Sequence, residues 1–127
     1  MGFIYKNHYT VEKARALLPQ IRIWLQRLDE LRGRLATVEE RLADMASGGN
    51  DLGGETVNSS VRILAAVKDV LREFESREIQ IKDLDRGLID FPALKGGKEI
   101  FLCWEKDEDD IEFWHDLESG YSGREPL

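Results

Sequence analysis

The chain has a single cysteine, Cys103, and only two histidines, His8 and His115. One thiol cannot close an internal disulfide, so nothing calls for an oxidising compartment. With so few of these residues, neither a four-cysteine nor a three-histidine metal site can form within one copy of the chain. Apolar runs of membrane-spanning length are missing, and MGFIYKNHYT lacks the basic-then-apolar order of a leader, so a cytoplasmic protein free of the membrane is expected. Positive charge is also in short supply: 18 Lys and Arg stand against 25 Asp and Glu, for a net charge of -7. Phosphate neutralisation needs a basic face, so direct nucleic-acid binding is not expected, and the acidic balance favours a protein or a cation as partner.

What is present falls into two periodicities within one domain spanning 1–127. The first, over 10–78, is helical. Thr10 is placed as an N-cap with Glu12 in the first turn. Pro19 predicts a short helix, a kink and then a longer helix. Beyond it Ile21, Trp24, Leu28, Leu31, Leu35, Val38, Leu42 and Met45 alternate three and four apart, the narrow stripe of a helix that packs on another helix as in a coiled coil. Glu30 and Arg34 are spaced for an ion pair. The glycine-rich SGGNDLGGE, Ser47 to Glu55, reads as a turn, and a second helix follows from about Thr56 to Glu75. Its expected stripe is Val57, Val61, Leu64, Val67, Leu71 and Phe74, widened by Ile63 and Val70. Two such helices across a short loop run antiparallel.

The second periodicity, over 79–127, alternates. IQIKDL, GLIDFP, EIFLCW and IEFWH read as strands joined by LDRG, LKGGK and EKDEDD, an antiparallel meander of three or four strands closed by the C-terminal tail. Centring the last hairpin on Asp107 and Glu108 pairs Trp104 with Ile111, Leu102 with Phe113 and Ile100 with His115. Cys103 and His115 then point to opposite faces. The fold class is therefore α+β: a kinked N-terminal helix, a long helical hairpin and a small antiparallel sheet.

Chemistry-bearing residues gather near the end of the chain. Cys103, His115 and Asp116, with Glu112 or an acid of LDRGLID, are the donor types a zinc site would use, although a lone cysteine is more often a small buried apolar residue. Cys103, His115 and Asp116 also supply the residue types of a nucleophilic site, without a recognisable spacing. DLDRG does not match a calcium loop, and GGNDLGG lacks the lysine and helix of a phosphate loop. In the tail FWHDLESGYSGREPL, Trp114 and Tyr121 offer apolar area, and Arg124 can reach Asp83, Asp85 or Asp90, so the tail is expected to clasp one sheet face. Arg86, His115, Asp116 and Arg124 form a candidate anion or ligand site.

YTVEKARALLP near the start, IKDLDRGLIDFPAL, FLCW and FWHDLESGYSGREPL together resemble a bacterial family catalogued as domain of unknown function 2203, from Tyr9 to Leu127. Both D-x-D-R-G-L-x-D-F-P, Asp83 to Pro92, and the terminal F-W-H-D-x-x-x-G-x-x-G-R-x-P-L are present. The resemblance supports the segmentation and implies no activity, cofactor or site residue.

The expected function is non-enzymatic protein interaction through the hairpin, with a homo-oligomer formed along its seam and no cofactor. One alternative is a transcription modulator that inserts the hairpin into RNA polymerase and presents Asp44, Asp51 and Glu55 at its tip. The other is a small metal-binding protein or enzyme built on Cys103, His115 and Asp116.

Overall fold

The computed structural model describes residues 2–48 and 54–127. They form two compact units, Met1–Ile23 with Glu73–Leu127, and Trp24–Arg72.

Helix α1, Val11–Ser47, starts where expected: the Lys13 amide donates to Thr10 Oγ1 at 3.1 Å, which satisfies one of the free N–H groups of the first turn. It is a single helix of 37 residues with Pro19 inside it, not two segments. An interior proline costs about 3 kcal/mol, chiefly one lost hydrogen bond. Leu18 and Ile21 flank it and are buried, each contributing about 1.5–3 kcal/mol, which offsets the loss.

The Trp24–Arg72 unit consists of most of α1 and most of helix α2, Glu55–Glu75; the turn expected from Ser47 to Glu55 falls largely on residues 49–53, outside the described residues. Its core is Leu31, Val38 and Ile63, with Leu35, Leu42, Ala66, Val67 and Val70 packed around them. The sequence stripe requires two corrections here. On α1, Leu25 is buried whereas Trp24 is only half-buried. On α2, Ile63 faces inward while Val61 and Leu64 are 59% and 48% exposed. Both α2 stripes have three-four spacing, so periodicity alone admits either, and packing against α1 selects one.

In the other unit five strands form one antiparallel sheet in chain order: β1 Gln80–Asp83, β2 Leu88–Lys95, β3 Lys98–Glu105, β4 Phe113–Asp116 and β5 Glu125–Pro126. The meander is the one the alternation predicts, and β5 adds an unexpected two-residue strand within the tail. The β1–β2 turn places Gly87 at φ 65, where an added Cβ would meet the Lys106 side chain at 2.7 Å. Gly96 and Gly97, at φ 59 and 79, make the two-residue β2–β3 turn.

The β3–β4 register differs from the expected one by a single residue: Phe101 lies opposite His115, Leu102 opposite Trp114 and Cys103 opposite Phe113. The reversal centres on Glu108, because that residue is built into the loop. Its carbonyl accepts from Trp104 Nε1 and Arg22 Nη2, both at 2.9 Å, and its carboxylate accepts from the Glu105 amide at 2.8 Å. A one-residue slip exchanges the two faces of β4. One sheet face therefore carries Ile89, Phe91, Ile100, Leu102 and Trp104, against which the start of α1 lies through Arg22 over the Trp104 ring. The other carries Asp90, Pro92, Phe101, Cys103, Phe113 and His115.

No helix among the described residues is long and apolar enough to cross a membrane.

Candidate functional site

On that second face three adjacent strands bring together an acid, a thiol and an imidazole. Asp90 on β2 is paired directly with Cys103 on β3, and His115 on β4 sits one diagonal step away. Strand neighbours on one face lie within side-chain reach. The candidate ligand atoms of Asp90, Cys103 and His115 all lie within 4.8 Å of one another. All three residues are buried, at 1%, 0% and 2% exposure.

The imidazole is held at both nitrogens. Nδ1 is 2.6 Å from the Asp116 carbonyl, to which it donates, and Nε2 is 2.9 Å from Asp90 Oδ2. The other carboxylate oxygen, Oδ1, is buried with no partner that meets hydrogen-bond geometry. Burial pushes the Asp90 carboxyl up from its ordinary pKa, opposed by the attraction of His115. Burial, reinforced by the Asp90 charge, pushes the Cys103 thiol up to about 12. A thiol so protonated and enclosed is a poor nucleophile.

The register explains why the sequence reading placed Cys103 and His115 apart and grouped them with Asp116. In the observed register Cys103 and His115 share a face, and Asp116 turns to the other, exposed and 3.4 Å from Lys98 Nζ. Its contribution to the cluster is its backbone carbonyl. Of the LDRGLID acids it is Asp90 that joins. An acid at the centre of the otherwise apolar LIDFPA was the available signal, since all six residues are buried and an ionisable group there needs partners.

The tail acts on the same face. Arg124 lies over the Phe113 ring, with Cζ 3.7 Å from its centroid, and 4.7 Å from that of Tyr121. Its Nη2 bonds to Glu108, not to Asp83, Asp85 or Asp90 as the sequence suggested. Asp83 accepts instead from the Arg86 amide, and Asp90 is committed to His115. Tyr121 donates to Glu105 Oε2 at 3.2 Å, and Arg86 pairs with Glu105 at 2.9 Å while stacking on Tyr121. The Leu127 amide donates to the Glu112 carbonyl, extending the β4–β5 pairing. Arg86 and Arg124 thus share Tyr121 and Glu105, whereas His115 is enclosed in the sheet and Asp116 faces away. These four residues do not converge on one cleft.

An N-terminal strap completes the cover. The Ile4 and Tyr5 amides and His8 Nε2 all bond to the Glu99 carboxylate, and Lys6 and Asn7 bond to Glu78. Tyr5 then packs on Phe101, which also contacts His115.

Of the hairpin-tip acids, Asp44 is exposed in the last turns of α1 and Glu55 pairs with Arg62 at 2.5 Å. Asp51 lies outside the described residues. The expected Glu30–Arg34 pair is replaced by Arg27–Glu30 at 3.7 Å.

No curated protein matches the chain, and no solved structure does. A family model described as "Uncharacterized conserved protein (DUF2203)" matches residues 7–127 and so includes β1 to β5, the buried cluster and the tail. The chain belongs to this uncharacterised conserved family, DUF2203.

Proposed function

We propose that the protein binds one divalent cation of the zinc class through Asp90, Cys103 and His115, and that the ion ties β2, β3 and β4 together. The observation that carries this reading is the convergence of three different donors from three strands onto one enclosed point. Thiolate, imidazole and carboxylate are the donors zinc takes, and its ligand atoms lie ~2.0–2.3 Å from the ion. Neighbouring donors around such an ion are roughly 3.3–3.8 Å apart. The separations of up to 4.8 Å require only small side-chain adjustments.

The hydrogen bond at the far side of the His115 ring favours the same conclusion. A ligating histidine usually donates its other N–H to a carbonyl or carboxylate, and His115 Nδ1 does so to Asp116. A thiolate and a carboxylate together balance the charge of a dication, so binding that displaces the Cys103 thiol proton leaves the filled site without net charge. Three protein donors leave a fourth position for water or another small ligand.

The test is metal analysis of untagged protein together with a cobalt(II) titration. The expected result is about one equivalent of metal, a near-ultraviolet thiolate-to-cobalt band that disappears in Cys103→Ala, and a raised melting temperature on adding zinc to metal-free wild type. Wild-type protein that shows no thiolate band and no zinc-dependent stabilisation would overturn the proposal.

A further inference from the structure

The hairpin unit carries a separate constellation. Arg27 and Arg34 are seven residues apart on α1 with Leu31 between them, two turns of one helical face. On α2, Ser59, Arg62, Ile63 and Ala66 present a matching strip. Together these seven residues line a groove of about 240 Å³. Its floor is apolar, made of Leu31, Ile63 and Ala66, and its rim carries three guanidinium groups.

The rim is only partly neutralised by its own helices. Arg62 is engaged by Glu55 and Ser59 Oγ, and Arg27 has Glu30 at 3.7 Å. Arg34 has no ion-pair partner among the described residues. Three arginines around two carboxylates, Glu55 and Glu30, leave a local surplus of positive charge in a chain whose net charge is -7. Guanidinium forks match carboxylates in shape and charge, and an aliphatic floor takes an aliphatic side chain. The floor contains no aromatic ring on which a base could stack, which disfavours single-stranded nucleic acid.

We propose that this groove docks an acidic amphipathic helix of a partner protein, with an aliphatic side chain on Leu31, Ile63 and Ala66 and its flanking carboxylates on Arg27, Arg34 and Arg62. The mode is helix-in-groove recognition with charge complementarity at the rim. The interaction role expected of the hairpin thereby acquires a surface and a partner chemistry. This inference is independent of the buried metal cluster.

The test uses the full chain and two labelled synthetic helices, one with leucines flanked by glutamates and the other with each glutamate replaced by glutamine. Binding is read by fluorescence anisotropy at low and high salt. The acidic helix is expected to bind at least about tenfold more tightly than the glutamine helix and to weaken as salt rises. The variant Arg27→Gln/Arg34→Gln/Arg62→Gln, its fold checked by circular dichroism, is expected to lose at least about tenfold in affinity. Arg72→Gln, at an exposed arginine of α2 outside the groove, is expected to bind as wild type. Equal binding of the two helices, an unaffected triple variant, no binding of either helix, or displacement of the acidic helix by equimolar inorganic phosphate or single-stranded DNA would each overturn the proposal.

Discussion

The two units treat their polar groups in opposite ways. In the sheet unit an acid, a thiol and an imidazole are sealed at 2% exposure or less; in the hairpin unit the charged groups stand outside, with the Arg62 side chain 62% exposed, and even large aliphatics such as Val61 remain in solvent. The contrast follows from geometry. A sheet flanked on both faces alternates two buried sets along every strand, so a polar residue can be enclosed and given partners from the next strand. Two helices bury only a stripe each, and everything off that stripe is available for contact. The sheet unit thus encloses polar side chains that the hairpin unit leaves in solvent.

The largest effect that would sharpen this contrast is expected at the buried pair. In metal-free protein, Asp90→Ala leaves His115 without its carboxylate and should destabilise the fold by roughly 3–5 kcal/mol in urea denaturation. A loss under about 1 kcal/mol would mean that the pair is not a buried electrostatic unit. Next in size, Ile63→Ala should cost about 2–4 kcal/mol, read by hydrogen exchange of the α2 amides, because it empties part of the hairpin core. Arg124→Ala removes the cation stacked on Phe113 and frees Glu108, for an expected loss of about 1–3 kcal/mol by thermal unfolding.

The pH dependence of the strap comes from Glu78 and Glu99. Backbone hydrogen bonds from Asn7 and Lys6 hold the Glu78 carboxyl below its ordinary range. Bonds from His8, Ile4 and Tyr5 outweigh desolvation and do the same for Glu99. A carboxyl whose folded pKa is depressed binds fewer protons when folded, so its stabilisation is present above the unfolded value of about 4.3 and is lost as pH falls through the folded one. Amide exchange at Ile4 and Tyr5, corrected for intrinsic rates, should therefore lose protection below about pH 4.3 while the β3 amides stay protected. Simultaneous loss at both would show that the strap has no separate equilibrium. The smallest effect is expected at Val61→Ala, within about 0.5 kcal/mol by urea denaturation, although Val61 lies only two residues from Ile63.

Much of the architecture could be read in order from the residues. Thr10 and Glu12 announced the start of α1, the glycine-rich stretch separated two helices, and alternation from Ile79 onward announced a meander. The candidate site was legible only in part. Cys103 and His115 stood out by scarcity, yet a pairing slipped by one residue separated them and put Asp116 in place of Asp90. That error traces to Glu108, whose hydrogen bonds to Trp104, Arg22 and Glu105 reshape a loop that reads as a plain run of charges.

By itself the sequence determined where the two helices and the first four strands fall, because periods of 3.6 and 2 are properties of the local chain. It also determined that the protein would be acidic and poor in cysteine and histidine. Only the tertiary structure decided which of two equally spaced stripes on α2 faces inward, which residues share a face of β4, and that Arg124 closes on Glu108. Each of those choices depends on a partner distant in sequence, and a one-residue change of register reverses every face while leaving the local pattern intact.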